Sequence, residues 1–137
     1  KTLQALRSVT PGRVIMVTGA DGGRDASKRE AMGAAAALGS DEVILTDHHS
    51  RHEDPAQIRA ALKRGAQAAK EHVVITEIAD PVTAIRCAVE RAKPGDSILW
   101  SGLASQDYRA VGAEEIPFSA IDQSRRALAE AGWDVID

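Results

Sequence analysis

Four short apolar runs separated by helical patterns constrain this chain more than any other feature. Val14-Ile15-Met16-Val17, Val43-Ile44-Leu45-Thr46, Val73-Val74-Ile75-Thr76 and Ser97-Ile98-Leu99-Trp100 are bounded by turn residues and rich in β-branched side chains. Runs of this length and composition read as strands buried on both faces. Between the first two, residues 26–38 form an alanine-rich helical pattern carrying Met32, with Gly39 as its expected C-cap. Asp54-Pro55 and Asp80-Pro81 each place an N-cap acid before a proline whose fixed φ suits the first helical turn. The first of these helices runs to about residue 69, with Ile58, Ala61, Leu62 and Gly65 facing inward, and the second carries Val82, Ile85, Ala88 and Val89. Strand–helix alternation of this kind implies crossover units and a parallel sheet covered on both sides. After it, Tyr108-Arg109-Ala110-Val111 and Glu115-Ile116-Pro117-Phe118 predict a hairpin around Gly112 that adds an antiparallel edge. Ser119 caps a last helix that Gly132 ends. The expected fold is an α/β three-layer sandwich, mostly parallel, occupying residues 1–137 as one domain.

Composition narrows the function classes. Aromatic residues are only 3 % of the chain, so Ala, Val, Ile and Leu must build the core. A formal net charge of −3, with no basic cluster interleaved with aromatics, argues against a nucleic-acid surface. The longest apolar runs fall far short of the ~20 residues of a membrane span, and no secretory pattern opens the chain. A cytoplasmic setting is expected. Cys87 has no internal partner and sits among apolar neighbours in a helical pattern, which predicts packing. The first residue is Lys, and residues 1–10 read as a short helix with Leu3 and Leu6 on one face. We expect a piece of a longer chain.

Three polar loops follow strands and should meet on the carboxyl edge of the sheet, where open α/β sheets place ligands. The first is the glycine-rich turn over residues 19–25. It resembles a phosphate cradle, yet lacks both G-x-G-x-x-G and G-K-[ST]. Arg24, Lys28 and Arg29 lie in and just after it and favour a nearby anion, against the plainer reading of a tight turn that needs glycines. The second loop is Asp47-His48-His49-Ser50-Arg51-His52-Glu53, which holds three of the four histidines. Metal ligation is weighed there and set below a substrate pocket, because no H-x-x-x-H pair or CxxC is present. The third is Ser101 to Tyr108. No nucleophile–base pair is defensible, so this domain alone is not expected to be a complete enzyme. A stand-alone dinucleotide-binding domain is a weaker reading, given the glycine spacing.

The order Gly19-x-x-Gly22-x-Arg24-Asp25-x-x-Lys28-Arg29-x-x-Met32-Gly33, then Thr46-Asp47-His48-His49-Ser50-Arg51, then Gly102-x-x-x-Gln106-Asp107-Tyr108-x-x-Val111-Gly112, resembles the C-terminal domain of the Mur ligases. The nearest type is the MurE enzyme, which adds the third amino acid to a UDP-N-acetylmuramoyl-dipeptide. The resemblance implies a Rossmann-like domain in a three-domain protein of peptidoglycan biosynthesis. It implies ATP and magnesium, bound mainly by a central domain, and activation of a carboxylate as an acyl phosphate before an amine attacks. The implied partners are the amino acid, the UDP-sugar peptide, and N-terminal and central domains. Arg24, His48, His49, Arg51, Gly102 and Gln106 fall on substrate-binding positions. Lys28, Arg29 and Asp47 are expected near the nucleotide or an anion.

The departures matter as much as the matches. His48, His49 and Ser50 stand where diaminopimelate-adding members have Asp-Asn-Pro before the arginine matched by Arg51. In the family's Gly-Lys-Gly-His-Glu motif the Glu is replaced by Gln106, and the Lys and His by Leu103 and Ser105. Two acidic positions of the amino-acid pocket have lost their charge, and a charge-assisted hydrogen bond is roughly twice as strong as a neutral one. A protonated imidazole at position 48 would repel an ammonium. These changes predict recognition through carboxylate, favouring an acidic or neutral amino acid over lysine. The alternative is a diverged, non-catalytic binding module of the same fold.

Overall fold

The computed structural model describes residues 2–102 and 106–136. Helix α1 (Thr2–Val9) leads into β1 (Val14–Thr18), and α2 (Arg29–Gly39), entered through a single 3-10 turn at Ala26–Lys28, leads into β2 (Glu42–Leu45). Then follow α3 (Pro55–Ala69), β3 (Val74–Glu77), α4 (Pro81–Arg91) and β4 (Ser97–Ser101), and finally β5 (Tyr108–Val111), β6 (Glu114–Pro117) and α5 (Ala120–Glu130). The main sheet is wholly parallel in the order β3-β2-β1-β4.

Alternation along the strands divides the core between two faces. Met16, Val43 and Leu45 pack with Ala36, Ile58 and Leu62 of α2 and α3. Ile15, Val17 and Ile44 pack with Ala84 and Ala88 of α4 on the other side. There α5 joins α4 through Ala120, Ala127, Ile85 and Val89. Cys87 packs against this second cluster, and burial pushes its thiol pKa up. The expected N-caps are all present: Asp54 accepts from the Ala56 N–H, Asp80 from Thr83 and Ser119 from Asp122. Gly132 closes α5 at φ +90°.

Two expectations need correction. Gly39 is not a left-handed cap: Ser40 follows it at φ −130° in extended backbone. The glycine is instead needed for close approach, since a Cβ there would lie 2.6 Å from Leu3 Cδ1. The closing hairpin forms, with β5 antiparallel to β6, but as a two-stranded sheet of its own and not as an added edge. It attaches through one parallel bridge between Arg51 and Val111. Among the described residues no helix is long and apolar enough to cross a membrane.

The strand order fixes where a ligand can sit. The chain steps from β1 outward to β2 and β3, then returns through α4 to the far side of β1. The loops after β1 and β4 therefore leave the sheet in different directions, which opens a crevice between their carboxyl ends.

Candidate functional site

That crevice is an open cleft of about 390 Å³, lined by Gly19, Ala20, Asp21, Arg24, Asp25, Arg29, Met32, His48, Ser101 and Gly102. All three loops singled out in the sequence contribute to it. The first two are stitched together. The Gly22 N–H donates to His49 O at 2.6 Å and the Gly23 N–H to Glu53 Oε1 at 2.8 Å. A Cβ on Gly22 would lie 1.9 Å from Ser50 O, so only glycine permits this approach.

The amides of Gly22 and Gly23 are thus spent within the protein. Asp25 accepts from both the N–H and the Oγ of Ser27, which caps the start of the 3-10 turn and holds the Asp25 pKa down. A phosphate cradle draws on free backbone amides, and the N–H groups of Gly22 and Gly23 are not free for one. Nor do three His, Cys, Asp or Glu side chains gather as a metal-binding group among the described residues.

His48 lies at the cleft floor, 3 % exposed, with its ring between two glycine backbones. A Cβ on Gly19 would approach its Cδ2 to 3.0 Å, and one on Gly102 would overlap its Cε1 at 1.8 Å. Trp100 stands beside it, ring centroids 5.7 Å apart. Burial lowers the His48 pKa to about 4, partly opposed by the negative charge of Asp21. The ring is neutral at pH 7, so the repulsion expected of an imidazolium does not arise. Its Nε2 is buried and has no hydrogen-bond partner among the described residues.

The nine residues expected at the site divide into two groups. Arg24, Arg29, His48 and Gly102 line the cleft. Arg24 is exposed and pairs with no protein group among the described residues. Arg29 is 6 % exposed and already committed, through Nη2 to Glu53 Oε2 at 2.8 Å and to Asp21 O at 3.1 Å. Gly102 takes φ +119°, a conformation open to glycine.

The others lie around the cleft and not in its lining. His49 is a brace for the hairpin. Its Nδ1 accepts the Ala110 N–H at 2.8 Å, which leaves the proton on Nε2 to donate to Gln106 Oε1 at 2.5 Å, and its ring rests on Tyr108. Arg51 adopts φ +54°, and its Nη1 donates to Gly22 O at 2.6 Å. Asp47 is held by Arg59 at 2.5 Å, and Arg59 is shared with Glu77 at 2.9 Å. Lys28 is exposed at the end of the 3-10 turn. Leu103 and Ser105 lie outside the described residues. Asp21, Met32 and Ser101 line the cleft without having been singled out individually, although each sits in or beside a motif that was.

Comparison with known proteins places this geometry. A family model described as "Mur ligase, glutamate ligase domain" matches residues 1–103. The UDP-N-acetylmuramyl-tripeptide synthetase of Leifsonia xyli subsp. xyli is 53 % identical over 132 residues, covering 96 % of this chain and 26 % of that protein. The UDP-N-acetylmuramoyl-L-alanyl-D-glutamate--2,6-diaminopimelate ligase of Bradyrhizobium diazoefficiens is 43 % identical over 129 residues, covering 94 % and 25 %. A solved structure of a UDP-N-acetylmuramoyl-L-alanyl-D-glutamate--2,6-diaminopimelate ligase superposes with a TM-score of 0.87 at 30 % identity, over 97 % of this chain and 27 % of that one. The chain spans about a quarter of the length of the relatives it matches.

Proposed function

The chain belongs to the Mur ligase family, and from that premise we propose that it is the amino-acid-binding domain of an ATP-dependent amide ligase acting on a UDP-N-acetylmuramoyl-peptide or similar acceptor. The observation that carries this reading is the cleft itself. Three of the six residues expected to bind the amino acid, Arg24, His48 and Gly102, line one crevice at the carboxyl edge of the sheet.

In the proposed reaction ATP, with magnesium, activates the acceptor's carboxylate as an acyl phosphate, which the amine of the incoming amino acid attacks with loss of phosphate. This domain's part is to hold that amino acid. Arg24 offers an uncommitted guanidinium for a carboxylate. The buried, neutral His48 offers a ring nitrogen, and Gly102 keeps the backbone clear of it. His49, Gln106 and Arg51 position the loops: two of them brace the hairpin and the third ties to the glycine turn. Lys28 and Arg29 stay on the anion-facing side, Arg29 through its pairing with Glu53. The nucleotide phosphates and magnesium fall to other parts of a longer, cytoplasmic, three-domain protein, in keeping with the commitment of the Gly22 and Gly23 amides to the neighbouring loop. The same proposal includes contacts with N-terminal and central domains.

The test is ATP-dependent phosphate release by the full-length protein, titrated with diaminopimelate, lysine, glutamate and aspartate in the presence of the UDP-sugar dipeptide. Release is expected with an amino acid rich in carboxylate. A strong preference for lysine overturns the specificity reading. No release with any amino acid favours the non-catalytic binding module, to which the loss of two acidic motif positions also points.

A further inference from the structure

We propose that Asp21 supplies the carboxylate that receives an ammonium group of the bound amino acid, replacing the acidic groups lost at positions 48 and 106. This rests on the amino-acid reading of the cleft and adds a specificity residue to it.

The charges lining the cleft can be followed one by one. Arg29 is neutralised by Glu53 at 2.8 Å, and the Asp25 carboxylate is engaged by Ser27 at 2.6 Å and 3.0 Å. Arg24 remains as a cation without a protein partner among the described residues. Asp21 remains as an anion: its carboxylate accepts no hydrogen bond from a described residue. Its nearest cation, Arg51 Nη1, is 4.0 Å away, and that nitrogen makes its shorter contact, 2.6 Å, with Gly22 O. The Asp21 side chain is 31 % exposed, so a ligand can reach it. A cleft with one unpaired cation, among the described residues, and one anion paired only at 4.0 Å matches a zwitterion, the form of an α-amino acid at neutral pH.

A second, independent observation points to a ligand in the same place. His48 is 97 % buried, yet its Nε2 has no partner among the described residues. Leaving a buried polar nitrogen unsatisfied is costly, and a ligand group that meets it recovers part of that cost. Asp21 and His48 line the same cleft, and the negative charge of Asp21 opposes the lowering of the ring's pKa. The negative charge that the family carries at position 48 is therefore offered here from the glycine-turn side of the same cleft.

The experiment uses the full-length protein with Asp21→Asn and Asp21→Glu. Phosphate release is driven by diaminopimelate or glutamate. Pimelate and glutarate, the same carbon chains without amines, serve as competitive inhibitors. Asp21→Asn should lower kcat/KM for the amino acid about tenfold or more and leave the inhibition constants of the des-amino acids within about twofold. Asp21→Glu should recover part of the loss. An unchanged kcat/KM in Asp21→Asn overturns the inference, and so does an equal weakening of amino acid and des-amino inhibitor, which marks a purely structural carboxylate. A wild-type protein that releases no phosphate with any amino acid overturns the ligase reading and this inference with it. The state of the wild type thus tells the two failures apart.

Discussion

The ring of His48 is held between the backbones of Gly19 and Gly102, and burial lowers its pKa to about 4 from the ordinary 6.5. Between those values the folded protein binds fewer protons than the unfolded chain, so unfolding is increasingly favoured as pH falls. The stabilisation linked to a neutral His48 is complete above about pH 6.5, is lost as pH drops toward 4, and is gone below that. Its size is on the order of 3 kcal/mol, from ~1.4 kcal/mol for each tenfold change in proton affinity. In urea unfolding at a series of pH values from 7 to 4, wild type should lose about that much more stability than His48→Gln. Parallel curves for the two proteins would show that the ring is not held neutral by burial. Single residues such as Arg24, His48 and Gly102 were legible because each sits at a motif position with a clear chemical type. Asp21 was not, since an acid among turn glycines reads as ordinary solvated loop. The commitments of Arg29 to Glu53 and of His49 to Gln106 were hidden too, as both pair residues far apart in sequence across loops whose geometry no periodicity reports.

Helices α2 and α3 approach each other through two glycines, and this contact sets the wall that carries Arg29 and Met32. A Cβ on Gly33 would lie 2.0 Å from Leu62 O, and one on Gly65 would lie 1.9 Å from Glu30 O. Gly65→Ala gains about 1 kcal/mol of helix propensity, but overpacking against a backbone carbonyl costs typically 1–3 kcal/mol and occasionally more. The obstacle is main chain, which cannot rotate away, so the cost belongs at the upper end. We expect Gly65→Ala to be destabilised by about 1–2 kcal/mol net in urea unfolding. A variant more stable than wild type would show that the helices separate freely. Element types and caps were legible: Asp54-Pro55, Asp80-Pro81 and Ser119 all start helices through local chemistry. The role of Gly39 was not, because left-handed capping and close helix packing both select glycine and only the neighbour, Leu3, distinguishes them. The hairpin was foreseen, but not that it stands apart from the main sheet, since alternation identifies a strand but not every neighbour it will have.

Across the whole molecule the two ends of the sheet do different work. At the carboxyl end the loops after β1, β2 and β4 shape the cleft. At the amino end Glu42, the first residue of β2 and only 3 % exposed, is clasped by Arg91 and, at 3.5 Å, by Arg13. Arg13 reaches on to Asp96 at 3.4 Å, and Arg91 also donates to Thr76 Oγ1 at 2.9 Å. This network ties β1, β2, β3 and the turn before β4 together at the edge remote from the ligand. Removing one member of a buried pair commonly costs 3–5 kcal/mol, because the other charge is stranded. Here both arginines are about two-fifths exposed and regain water when Glu42 is lost. We therefore expect Glu42→Ala to cost about 2–3 kcal/mol in urea unfolding, below that usual range. The β2 strand separates Glu42 from the loop bearing His48, and Glu42 touches none of the cleft residues, so the KM for the amino acid in the full-length protein should stay within about twofold of wild type. A large rise in KM with little loss of stability would mean that the two ends are coupled through the sheet, and that the cleft is shaped by strand register as well as by its own loops.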